Sequence, residues 1–145
     1  MPVKKQHFKK EIAMKKYLMV CTALIGLLML LTSCGSSGST KLDVTLNDHS
    51  FTPDQMTIAA GKEITINITN KGKEEHEWVL FNLGTDAGES FGDEDEGNIY
   101  WEVEALPGES KTATFKAPSE PGEYYLTCGI EDHLQEGMVG KVIVK

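Results

Sequence analysis

The most informative stretch of the chain is PGEYYLTCGIEDHLQEGM, residues 121–138. Pro121-Gly122 is a turn signal, and residues 123–127 combine the aromatic and apolar side chains that are typical of a strand. Residues 138–145 follow as another predicted strand, rich in valine and isoleucine. The loop between these last two predicted strands carries three side chains with metal-binding atoms, spaced five residues apart: Cys128, His133 and Met138.

Alternating apolar and polar residues predict strands through the rest of the chain. These strands cover about 42–46, 56–60, 64–69, 78–83 and 111–116. With frequent turn signals between them, seven or eight short strands indicate an all-β fold, an antiparallel β-sandwich. The long connection Asn82–Pro107 interrupts the pattern, with a short helix or an extra strand around 99–103. Its acidic run matches neither register of an EF-hand loop, so we expect a solvated acidic loop there, with loose cation binding or partner docking as the alternatives.

The first 40 residues predict export and lipidation. Lys15 and Lys16 precede an apolar run over 18–31, which is too short for a membrane span of about 20 residues and typical of a signal peptide. The run ends in Leu31-Thr-Ser-Cys34, which resembles a bacterial lipobox; an ordinary secretory signal is the alternative. We therefore predict a lipoprotein signal peptide at 1–33, from Met1 or Met14. A lipidated Cys34 with a Gly/Ser tether follows at 34–41, and a folded domain at 42–145.

Charge separates the leader from the folded part of the chain. The 145 residues carry a formal net charge of −8. The leader has six lysines and one acid (6 − 1 = +5), whereas residues 34–145 have eight lysines and 21 acids (8 − 21 = −13). Nucleic-acid binding requires a basic surface, so the acidic charge of this domain argues against nucleic acid as the main partner.

The positions of the three cysteines limit the roles that a cysteine can have in the folded domain. Cys21 lies in the predicted leader and Cys34 is predicted to carry lipid, so Cys128 has no disulfide partner within the domain. A lone thiol in an exported protein is either buried and inert or bound to a metal.

A fourth metal-binding side chain, His76, precedes the predicted strand at 78–83. One thiolate, two imidazoles and one thioether form the trigonal His₂Cys set with a weak axial Met that binds copper. Each residue taken alone is more often a surface or packing residue, and it is their combination that indicates a site. His7 lies in the leader and His49 has no matching partner, so we expect neither to be a ligand.

These motifs resemble the cupredoxins, the type 1 (blue) copper proteins, and in particular the plastocyanin, azurin and auracyanin group. The resemblance runs from about Leu42 to Lys145 and rests on four motifs: FTPDQMTIAAG at 51–61, His76, PGEYYLTC at 121–128 with His133, and GMVG at 137–140. It implies a Greek-key β-sandwich, one copper ion, and electron transfer through a solvent-edge His133. The implied ligands are His76, Cys128, His133 and Met138.

Two positions depart from the pattern of these relatives. Glu77 stands where relatives often have an asparagine that ties the two ligand loops together. Glu131-Asp132 stands where relatives often have Pro-Gly, which makes the neighbourhood of the ligands acidic. We therefore predict that an acidic face near the ligands docks a redox partner with a basic surface, such as a cytochrome or a membrane electron-transfer complex. Its predicted residues are Glu131, Asp132, Leu134 and Glu136.

The predicted function is a one-electron carrier of the cell envelope, anchored to the membrane by lipid and exposed to the periplasm or the outside. The alternative is a copper storage or delivery protein, whose sites tend to be open and rich in Met or His. No enzymatic activity is expected, because copper enzymes need further histidines for additional catalytic copper.

Overall fold

The computed structural model describes residues 38–145, and in this range two β-sheets pack face to face. Its strands are β1 (Lys41–Asn47), β2 (Ser50–Thr52), β3 (Gln55–Ile58), β4 (Glu63–Asn70), β5 (His76–Phe81), β6 (Ile99–Ala105), β7 (Ser110–Lys116), β8 (Gly122–Thr127) and β9 (Val139–Val144). One sheet has the order β2-β1-β4-β7, and the other has the order β3-β9-β8-β5-β6. The predicted β-sandwich is confirmed.

Strict alternation of side chains builds the core between the sheets. In β4, every second residue is buried, from Ile64 to Asn70, while the residues between them are partly exposed. β1 follows the same pattern, with Leu42, Val44 and Leu46 buried. Successive side chains of a strand point to opposite faces, so each strand places one face in the core.

The sheets are mixed, which corrects the expectation of antiparallel strands. β1 pairs parallel with β4, and β3 pairs parallel with β9. The physical reason is the route of the chain, because parallel neighbours need a crossover connection instead of a tight turn. After the β1–β2 hairpin the chain joins the second sheet as β3, and then returns to the first sheet as β4.

The connection after β5 contains both a short helix and an extra strand, which the sequence predicted as alternatives. A short 3₁₀ helix, Asp93–Asn98, leads directly into β6. The preceding segment packs on the sandwich through a second apolar cluster, in which Ala87 and Phe91 meet Leu134, Val79 and Phe81. This acidic segment therefore packs against the loop that carries the predicted ligands.

The predicted signal peptide, Cys34 and most of the tether lie outside the described residues. Among residues 38–145, no helix has the length and apolar character needed to cross a membrane.

Candidate metal centre

The pairing of two central strands sets the position of the centre. β5 and β8 are antiparallel neighbours, with Val79 opposite Thr127. His76 begins β5 and Cys128 directly follows β8, so this register brings both residues to the same end of the sheet. The loop 128–138 then leaves the sheet beside His76 and returns to it as β9.

Three of the four predicted ligands converge in the interior of the protein. His133 Nδ1 lies 3.2 Å from His76 Nδ1 and 3.4 Å from Cys128 Sγ. The ligand atoms of all three residues lie within 4.8 Å of one another, and all three residues are buried. Among residues 38–145, this is the group of His, Cys, Asp and Glu side chains with the spacing of a metal site.

Backbone hydrogen bonds hold the fourth predicted ligand in the same loop. The Met138 N–H donates to the His133 carbonyl at 2.9 Å, and the Cys128 N–H donates to the Met138 carbonyl at 3.1 Å. The Thr127 hydroxyl also donates to the Met138 carbonyl, at 3.2 Å. The Met138 side chain is fully buried. The two ends of the loop are thus joined to each other and to His133.

Carboxylates stand behind both imidazoles, on the side away from the centre. Glu74 Oε2 is 3.0 Å from His133 Nε2, and Asp48 Oδ1 is 3.6 Å from His76 Nε2. A carboxylate facing Nε2 favours the tautomer with the proton on Nε2, which leaves the Nδ1 lone pair free for a metal. Gly72 leaves room for this arrangement, since a Cβ there would lie 2.4 Å from Asp48 Oδ1 and 2.6 Å from His76 Nε2.

Burial sets the protonation of two of the ligands. It lowers the pKa of His76, and the neighbouring His133 lowers it further, so the imidazole is kept neutral. Burial also raises the pKa of the Cys128 thiol, against the effect of the backbone amides of Glu77 and Ile130. Metal binding at this sulfur therefore releases a proton.

Glu77 retains a connection between the two ligand-bearing segments through its backbone. Its N–H donates to Cys128 Sγ at 3.3 Å, a bond that any residue at this position could form. Its carboxylate lies over Gly129, where an added Cβ would come within 2.1 Å of Glu77 Oε2. The presence of Glu77 instead of asparagine therefore leaves the hydrogen bond from the backbone amide to the sulfur in place. It also adds a carboxylate close to the sulfur ligand.

The predicted docking residues differ in exposure. Glu131, Asp132 and Glu136 are exposed, whereas Leu134 is buried in the second apolar cluster, with 8% of its surface accessible. His133 is also buried, with 5% accessible, although the resemblance implies a solvent-edge ligand. The imidazole is covered partly by His49, whose ring centroid is 5.2 Å from that of His133.

Sequence reasoning did not identify the residues around the two imidazoles. Asp48, His49 and Glu74 lie far from the ligand loop in sequence, and short polar turns carry no pattern that reveals what they contact. The one signal in the sequence is His49 in the turn before β2, and it has no matching metal-binding residue nearby in sequence.

A family model described as a cupredoxin-like domain matches residues 20–144. The chain belongs to the cupredoxin family. No curated protein matches it.

Solved structures of auracyanins are similar to this cupredoxin. The dithionite-reduced auracyanin of Roseiflexus castenholzii is 26% identical with a TM-score of 0.64, over 75% of this chain and 99% of that one. Auracyanin B is 23% identical with a TM-score of 0.61, over 77% and 96%. Auracyanin A of Chloroflexus aurantiacus, described as a "blue" copper protein, is 23% identical with a TM-score of 0.55, over 72% and 98%.

The donor set of this cupredoxin fits one copper ion. Nitrogen and sulfur atoms bound to one ion at ~2.0–2.3 Å lie roughly 3–4 Å apart, and the two measured separations here are 3.2 and 3.4 Å. Thiolate and imidazole are also the ligand types of trigonal copper sites. His76, Cys128 and His133 would hold the ion, with Met138 available from the same loop.

Glu77 predicts a pH dependence of the metal-free protein. Burial, together with the nearby negative charges of Glu102, Glu104 and Glu75, raises the pKa of its carboxyl from 4.5 to about 7. The favourable contribution of the protonated acid is therefore present below pH 4.5 and lost as the pH rises through about 7. We expect Glu77→Gln to increase the free energy of unfolding at pH 8 by about 1 kcal/mol, since solvent partly screens this incompletely buried group.

The measurement is chemical denaturation of the metal-free protein at pH 4 and pH 8. Glu63→Gln, at an exposed position of β4, is the matched control. An equal effect of Glu77→Gln at both pH values would contradict the prediction.

Proposed function

We propose that this cupredoxin is a type 1 copper protein that carries single electrons between redox partners of the cell envelope. The observation that carries the proposal is the buried convergence of two imidazole nitrogens and one thiol sulfur at 3.2 and 3.4 Å. When bound there, copper would supply the one-electron Cu(I)/Cu(II) couple.

The protein holds the metal-binding side chains in place before an ion binds. His76 is anchored at the start of a central strand, and the loop 128–138 is closed by hydrogen bonds between Cys128, His133 and Met138. A set of donors that cannot move far favours the same geometry in both oxidation states, which keeps the reorganisation on electron transfer small. The burial of all three residues excludes water and substrates, which supports a carrier over an enzyme.

The visible spectrum tests the site. We expect the protein to show an intense thiolate-to-copper charge-transfer band on addition of Cu(II), and Cys128→Ala to lose it completely because the sulfur donor is gone. Circular dichroism of the variant provides the control for folding. Absence of the band from the wild-type protein would refute the type 1 site. Rapid loss of Cu(I) to a chelator, with poorly reversible voltammetry, would instead favour copper storage or delivery.

The acids on the ligand loop predict the charge of the partner. Glu131, Asp132 and Glu136 are exposed beside the centre, so the docking face is acidic and a basic redox protein should be steered towards it. We expect electron transfer to a lysine-rich cytochrome to slow with rising ionic strength, and Glu131→Gln with Asp132→Asn to slow it roughly threefold at low salt. Stopped-flow kinetics gives the rates, with Glu63→Gln as the control. Rates that are independent of salt would exclude this steering.

We further propose that lipid on Cys34 holds the domain at the membrane, through the Gly/Ser tether at 34–41. The support is the lipobox-like sequence that ends at Cys34 and a folded domain that begins at β1. Cys34→Ser should release the protein from the membrane fraction of a bacterial host into the soluble fraction, because the acyl chains are lost. Fractionation with immunoblotting measures this, and a variant that remains in the membrane fraction would contradict the anchor.

A further inference from the structure

A two-residue turn reaches both imidazoles of the proposed copper centre. Asn47 and Ser50 are paired at the end of the β1–β2 hairpin, so Asp48 and His49 form the turn between these strands. This turn belongs to the sheet opposite the one that carries His76 and Cys128. Its position at the end of the sandwich places it over the centre.

The backbone of His49 lies in the left-handed region, with a φ of +59°. Histidine, like asparagine and aspartate, occupies this region more often than most residues that have a side chain. The turn therefore accommodates a histidine as readily as an asparagine.

The His49 side chain contacts two residues of the ligand loop. Its ring meets the His133 ring edge to face, with an interplanar angle of 84° and centroids 5.2 Å apart. Its Nδ1 lies against the Glu136 carboxylate, two residues before the proposed ligand Met138. His49 therefore connects the β1–β2 turn to the loop 128–138 at two points.

Asp48, the preceding residue of the turn, lies close to the imidazole of His76. Asp48 Oδ1 accepts a hydrogen bond from the Lys73 N–H at 2.7 Å, which fixes the carboxylate 3.6 Å from His76 Nε2. This nitrogen is fully buried and makes no hydrogen bond of normal length, and the Asp48 carboxylate faces it at 3.6 Å. One turn thus supplies a neighbour to each ligand imidazole.

We propose that Asp48 and His49 are positioning residues for the two histidine ligands. His49, held by Glu136, packs against the ring of His133 and limits its rotation, while Asp48 orients His76 from behind. The inference rests on the proposed copper site, and assigns to the turn the task of keeping both rings in place when the ion changes its oxidation state.

His49→Asn tests the contact with His133. Asparagine tolerates the left-handed backbone, so the variant removes the ring while keeping the turn. Because an aromatic pair contributes about a factor of two to ten in an equilibrium or rate, we expect Cu(I) loss to a chelator to be accelerated two- to tenfold. The electron paramagnetic resonance signal of the Cu(II) form should broaden, since a mobile His133 ring gives a spread of copper geometries.

Two further variants make the result specific. Glu136→Gln weakens the contact that holds the His49 ring, and should give a rate of Cu(I) loss between those of the wild-type protein and His49→Asn. Asp48→Asn removes a charge behind His76 and should raise the reduction potential measured by voltammetry. Glu63→Gln is the charge-matched control that should leave rate, signal and potential unchanged.

The outcomes separate this inference from the proposed function. If the wild-type protein lacks the blue band, the copper site itself is refuted. If the band is normal but His49→Asn matches the wild-type protein in Cu(I) loss and in line width, the positioning role of His49 is overturned. A Glu136→Gln variant with the wild-type rate of Cu(I) loss would overturn the role of the contact between His49 and Glu136. An unchanged potential in Asp48→Asn would overturn the role of Asp48.

Discussion

The antiparallel pairing of β5 with β8 is the constraint on which the rest of the centre depends. It fixes the start of one strand beside the end of the other, and so places His76 next to Cys128. The Glu77 N–H donates to Cys128 Sγ across the same junction. Metal-binding side chains on a loop alone would lose conformational entropy when they become ordered. Here the sheet already orders His76 and Cys128, and the loop has only to supply the other donors.

Burial of these donors explains the polar residues that surround them. Buried polar groups require partners, and the two imidazoles turn their Nδ1 atoms towards each other. The Nε2 atom of His133 is within hydrogen-bond distance of Glu74, and that of His76 faces the Asp48 carboxylate at the longer distance of 3.6 Å. The carboxylates also place negative charge near the proposed ion. That charge stabilises Cu(II) relative to Cu(I), in the same direction as the acids on the ligand loop.

The sandwich and the placement of Cys128 and His133 in one loop could be predicted from the sequence because both depend on local signals. Alternation in β1 and β4 determines which side chains enter the core, and the spacing of Cys128 and His133 places both in one loop. The parallel pairings of β1 and β3 could not be predicted, since alternation is the same in parallel and antiparallel sheets. The contact of His49 with His133 joins residues 84 positions apart (133 − 49) and depends on how the two sheets are stacked.

The closure of the loop 128–138 has a consequence for how such a protein can change. The β8–β9 ladder runs up to the pair Thr127 and Val139, directly at the two ends of the loop. Insertions or substitutions between these residues therefore need not disturb the register of the sheet. The length and charge of the ligand loop can therefore diverge between descendants of one ancestor while the β-sandwich stays the same.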